Sequence, residues 1–149
     1  MSEIMTVQIF IGTLSLLGPL VGSFVLCRKY RRICDTFSYD EEKAKAFHAR
    51  VQIYQALVMS GFLYGLLEAL TLGKQYGAVP YTAAIAGVFA CFLNCVTGVV
   101  QGFIAAHYVS AEIITNSKAF HKGMIRMGLV ELIPICGLIL YTVGLKIRF

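Results

Sequence analysis

The sequence predicts an all-α membrane protein in which four transmembrane helices form two repeated helical hairpins. Three observations carry this: an apolar composition, four long apolar stretches, and an internal echo between the chain halves. The chain has 149 residues, 58% hydrophobic and 14% charged, with a mean hydropathy of +0.73. Soluble domains run at roughly 45–50% apolar and about 25% charged, and a globule this short has too little interior for the excess. Disorder and a disulfide scaffold are excluded on the same figures.

A bilayer core of about 30 Å takes about 20 helical residues. Four stretches qualify: about Ile4–Leu26, Val51–Leu72, Thr82–Val109 and Gly123–Leu145. The first lacks the basic start and small-residue cleavage site of a signal peptide, and reads as a helix. Seven of the thirteen basic residues fall between Arg28 and Arg50, mixed with Asp35, Asp40, Glu41 and Glu42. That mixture suits a cytoplasmic loop better than a surface tracking nucleic acid, so the net charge of +5 implies no nucleic-acid partner. Ser110–Lys122 carries Lys118 and Lys122, whereas Gly73–Tyr81 carries only Lys74. The positive-inside tendency therefore places the first and third loops in the cytoplasm, and both termini of this integral, multi-pass chain on the non-cytoplasmic side. Lys146 and Arg148 vote the other way but are fewer.

The halves echo each other. Lys45-Ala46-Phe47-His48 returns as Lys118-Ala119-Phe120-His121, and Gly18-x3-Gly22 as Gly98-x3-Gly102. Tyr64-Gly65 on span two corresponds in depth to Cys136-Gly137 on span four. The division is then residues 1–75 as the first hairpin and 76–149 as the second, which carries a membrane carboxylate. In lipid, close helix packing needs small residues at the contact. Gly98, Gly102 and Ala106 form such a ridge on span three, and Gly12, Ser15, Gly18 and Gly22 a looser one on span one.

Glu131 most needs explaining. It sits eight positions inside span four, where a charge costs about 3 kcal/mol by insertion scales. A carboxylate there is protonated or paired with a cation, which is the property of a transport site. Candidate partners lie at similar depth: Gln101 on span three, and Ser60 and Tyr64 one turn apart on span two. Pro134 cannot donate to the carbonyl of Val130, which frees an oxygen beside Glu131. One carboxylate, an amide, a hydroxyl and carbonyls form a hard-oxygen set for a small cation.

Glu68 lies near the outward end of span two, within reach of water or Lys74, and reads as interfacial, with an exit-path role open. Cys91, Cys95 and Cys136 read as small hydrophobes, and His48, His107 and His121 as isolated residues near the cytoplasmic edge. No nucleophile–base pair, phosphate loop or metal-ligand spacing appears, so the chain is read as no enzyme and as needing no cofactor.

The segment Gly98-Val-Val-Gln101-Gly102-x-x-Ala105-Ala106, the turn ending Lys122-Gly123, and Val130-Glu131 with Gly137 six residues on resemble the proteolipid ring subunit (subunit K, or c) of V-type and A-type rotary ATPases. Leu63-Tyr64-Gly65 resembles that family's span-two motif. The resemblance covers all four spans and is carried mainly from Gly98 to Leu145. It implies identical subunits assembled into a rotor ring in membrane lipid, each carrying H+ or Na+ on Glu131. It further implies a stator membrane subunit with an essential arginine, and central-stalk subunits that grip the cytoplasmic loops. ATP chemistry then belongs to partner subunits.

By the same resemblance the ion-binding set is Glu131, Gln101, Ser60 (where a threonine is usual), Tyr64 and the Leu57 carbonyl. Glu131 and Gln101 would hold a metal only if the cargo is Na+. Gly61 stands where sodium-type members have a second glutamine, and Leu132 where a threonine is usual, which favours H+. The odd-span glycine pattern is thinner than is typical and the first loop longer. Two other readings compete. A small four-helix cation-coupled antiporter has its essential Glu in the first span, and here span one has no acidic residue after Glu3. A four-span membrane enzyme needs a polar core of Arg, Asn, His and Glu, and these spans offer little beyond Gln101, Asn94 and the two Glu.

Overall fold

A computed structural model of the chain describes residues 3–37, 40–72 and 81–146. All secondary structure among them is helical: α1 (Glu3–Cys34), α2 (Glu41–Val58), α3 (Ser60–Leu72), α4 (Tyr81–Tyr108), α5 (Ser117–Val130) and α6 (Leu132–Lys146). Short 3-10 turns at Asp35–Phe37 and Ala111–Ile114 complete it. Pairs α2–α3 and α5–α6 are each one long helix broken once, so four helices are long and apolar enough to cross a membrane. The segment between the second and third of these, with the boundary near residues 75 and 76 and with Lys74, lies outside the described residues.

The helical segments overrun the apolar stretches on one side. α1 has 32 residues, about 48 Å at 1.5 Å each, well beyond a hydrocarbon core. It continues through Arg28–Arg32, and α2 starts at Glu41 rather than near Val51. The long loop expected from Arg28 to Arg50 therefore shrinks to the few residues between Cys34 and Glu41, and its charges ride on helical stems. The reason is local. Asp40 caps α2 by accepting the Lys43 backbone N–H at 3.1 Å, and Glu41 and Glu42 sit in the first turn, where negative charge is favoured. The same hydrogen bonding from Lys43, whose ammonium is 2.8 Å away, holds the Asp40 carboxyl below its ordinary range. Likewise Asn116 caps α5 through the Ala119 N–H, so the third loop is shorter than Ser110–Lys122.

Two apolar clusters bracket the bundle. Leu26, Phe47, Val51, Tyr54, Val58, Ala105, Val109, Ile113 and Met127 fill the end that carries the basic stems. Tyr54 is fully buried there and donates its hydroxyl to the Phe120 carbonyl at 3.0 Å. Ile11, Ala83, Ala90, Cys91, Tyr141 and Leu145 fill the opposite end. The zone between is built from small and polar residues. A Cβ added to Gly18 would overlap the Cys95 backbone; on Gly98, the backbone of Gly18 and Pro19; on Gly102, that of Gly22. α1 and α4 thus touch backbone to backbone. α3 is drawn in the same way, because a Cβ on Gly61 would lie 2.6 Å from the Asn94 carbonyl oxygen and one on Gly65 would overlap Ser15. The outer surface is apolar: Phe24 is 69% exposed, Ile125 65% and Leu63 58%.

Gly98→Ala and Gly22→Ala should each destabilise the bundle by about 1–3 kcal/mol or more, because the obstructing atoms are backbone that cannot rotate away. Gly12→Ala and Gly128→Ala enter open space and should leave stability unchanged or slightly raised. Thermal melting of the four purified variants in one detergent checks the contrast.

Candidate ion-carrying site

Glu131 occupies the break between α5 and α6. Its N–H donates to the Met127 and Gly128 carbonyls at 3.3 and 3.2 Å, and its own carbonyl accepts from Ile135 at 3.4 Å. Pro134, three residues on, has no N–H for the Val130 carbonyl, so the helical ladder is weakened here by the sequence itself. The side chain is half-buried. It is flanked on the outer surface by Leu129 and Leu132, 62% and 57% exposed. One edge of the carboxylate therefore faces what surrounds the bundle, and the other faces inward.

The inward edge is met by donors. Gln101, fully buried on α4, donates from Nε2 to Glu131 Oε1 at 2.7 Å and to the Met127 carbonyl at 3.2 Å. Its amide oxygen accepts the Ser60 hydroxyl at 3.3 Å, and the Met127 carbonyl, which can only accept, fixes the nitrogen as the end that faces the carboxylate. Tyr64 lies one turn along α3 from Ser60, near Glu131. The structure thus brings four of the five sequence-predicted residues together, from the second, third and fourth long helices.

The Leu57 side chain packs on the apolar cluster at the basic end, and the Met59 N–H at the α2–α3 break turns to the Gln55 and Leu57 carbonyls. The Met127 carbonyl was not expected in the set. Its signal is positional: it lies one helical turn before Glu131, on the same face. Arg126 was not singled out either. It is exposed, with its guanidinium carbon 5.5 Å from the centre of the Tyr108 ring.

Glu68 contradicts its sequence reading as interfacial. It is fully buried, and Asn94 donates to its Oε2 at 2.9 Å. Position along the helix is near an end, but its face turns inward between α1, α4 and α6. The five cysteines are free. Among the described residues, no group of three or more His, Cys, Asp or Glu is placed to hold a metal.

The fold and site together define a class: an all-helical chain with four helices of membrane-crossing length and apolarity, and one half-buried carboxylate held by a buried amide. No family model and no curated protein matches this chain.

Gln101→Leu leaves a carboxylate oxygen, the Met127 carbonyl and the Ser60 hydroxyl without their partner, and should cost about 1–3 kcal/mol. Ser60→Ala should cost about 0.5–1.5 kcal/mol alone and much less in the Gln101→Leu background. A double-mutant cycle on thermal unfolding measures that coupling.

Proposed function

We propose that this chain is a non-catalytic, ion-translocating subunit of the rotor ring of a V-type or A-type rotary ATPase, carrying H+ on Glu131. The observation that supports it most is the setting of that carboxylate, at a helix break on the apolar outer surface with donors only on its inner edge. A carrier group must accept and release its ion sideways, toward a second protein, while staying anchored within its own subunit. A carboxylate enclosed on all sides is poorly placed for this, and one fully in lipid is too costly to ionise.

The roles follow from the hydrogen bonds. Ionised Glu131 is held by Gln101 Nε2 while it faces a polar half-channel in a stator subunit. Protonation there removes the charge, and the neutral acid then moves past lipid. Ser60 acts on Gln101 rather than on the ion, donating to the amide oxygen. An arginine on the stator would discharge the proton electrostatically and prevent direct leakage between half-channels. The donor-lined edge favours H+ over Na+, since a bare cation needs oxygens turned toward it. Gly61 and Leu132 supply none from their side chains. In this reading the connections between Cys34 and Glu41 and between Tyr108 and Ser117 face the cytoplasm and the central stalk, and the termini face the other side. The exposed apolar faces of α1 and α4 then meet copies of the same chain or lipid.

A hydrophobic carbodiimide attacks protonated carboxyls in apolar surroundings. It should modify Glu131, located by mass spectrometry, and leave the enclosed Glu68 unmodified. Labelling should fall as pH rises and should not respond to sodium at fixed pH. Sodium protection would make the cargo Na+, and absence of labelling at Glu131 at any pH would remove the transport reading. A detergent-resistant homo-oligomer on native gels is expected, whereas a monomer would favour the antiporter reading.

A further inference from the structure

A second carboxylate cluster lies inside the bundle, distinct from the Glu131 site and enclosed where that one is open. Each of the four long helices contributes to it: Ser15 from α1, Glu68 from α3, Asn94 and Cys91 from α4, and Tyr141 from α6. Ser15, Glu68 and Asn94 are 0% exposed, Tyr141 1% and Cys91 2%. Asn94 Nδ2 donates to Glu68 Oε2 at 2.9 Å and to the Ser15 hydroxyl oxygen at 3.2 Å. The Cys91 thiol is turned to the Ile11 carbonyl, 3.7 Å away.

Three buried oxygens in this cluster have no hydrogen-bond partner: Glu68 Oε1, Asn94 Oδ1 and the Tyr141 hydroxyl. Two are pure acceptors once Glu68 is ionised, and the third carries a single proton. Buried acceptors left bare are costly, and a bare buried carboxylate far more so. The groups facing Glu68 offer no compensating charge. From α1 comes a hydroxyl, from α4 an amide and a thiol, from α6 a phenol. Among the described residues no Lys, Arg or His forms an ion pair with it.

We propose that the enclosed Glu68 carboxylate holds one monovalent cation at its unpartnered Oε1, occluded within the bundle. The charge count sets the class: one carboxylate among neutral oxygens balances one positive charge and would be overfilled by a divalent ion. The two sources of that charge are a proton, which makes Glu68 a neutral acid, and a dehydrated Na+. Either neutralises the carboxylate and supplies the missing partner. The site is structural rather than transporting, because it is closed by its own helices and has no edge on the outer surface. It does not depend on the ring reading of Glu131.

The test uses the full chain purified in detergent with Glu131→Gln, so that Glu68 is the remaining carboxylate in the apolar zone. In sodium-free buffer, at a pH where water-exposed carboxylates are ionised, infrared spectra should retain the C=O stretch of a protonated acid. Glu68→Gln added to this background should abolish the band. Tyr141→Phe, a milder change, should shift it, and serves if the double variant does not fold. A band that persists in NaCl identifies the occupant as a proton. A band that disappears in NaCl but not in choline chloride, with a rise in melting temperature, identifies Na+. Absence of any protonated-acid band together with a melting temperature indifferent to sodium overturns the proposal, and it does so whether or not Glu131 is the carrier.

Discussion

The rest of the bundle depends on the backbone contact between α1 and α4. Inside a bilayer, apolar side chains gain little by leaving lipid for each other, so helices are held by close van der Waals approach and by polar groups. Gly18, Gly22, Gly98 and Gly102 allow that approach, and each would be blocked by a single Cβ. The closeness brings the α4 face bearing Asn94, Thr97 and Gln101 to the centre of the bundle, where all three are fully buried. Gly61 and Gly65 then let α3 lie against the same pair of helices, which brings Ser60, Tyr64 and Glu68 to α4.

Glu131 and Glu68 show how much environment decides. Glu131 lies at the rim, with donors inside and leucines outside. It can hold a negative charge while remaining open to exchange. Glu68 lies at the centre, satisfied on one oxygen and orphaned on the other. The same side chain is half-exposed in one setting and fully enclosed in the other. The difference lies in which face of the helix each occupies.

Breaks in the second and fourth long helices, at Met59 and Glu131, put irregular backbone at the depth of the Glu131 site. Backbone groups there lose part of their helical partners and must be satisfied by other means. At the second break Gln101 serves the Met127 carbonyl as well as the carboxylate, so one buried amide supports both the helix end and the functional group. Cutting that amide back therefore affects stability and site geometry together.

By itself the sequence determined the helical class, the four apolar spans, the glycine ridges and the depth of Glu131. All of these are one-dimensional: length, periodicity and distance along a helix can be counted residue by residue. Gln101, Ser60 and Tyr64 were legible as companions because they sit at matching depth on their helices. The extent of the stems was missed because Arg28–Arg32 and Glu41–Arg50 look like loop by hydropathy, although capping and charge placement make them helical. Only the tertiary structure decided that Glu68 is buried, and that it shares Asn94 with Ser15. That outcome depends on how each helix is rotated about its axis, and the rotation is set by the mutual fit of the glycine-lined faces rather than by any one segment.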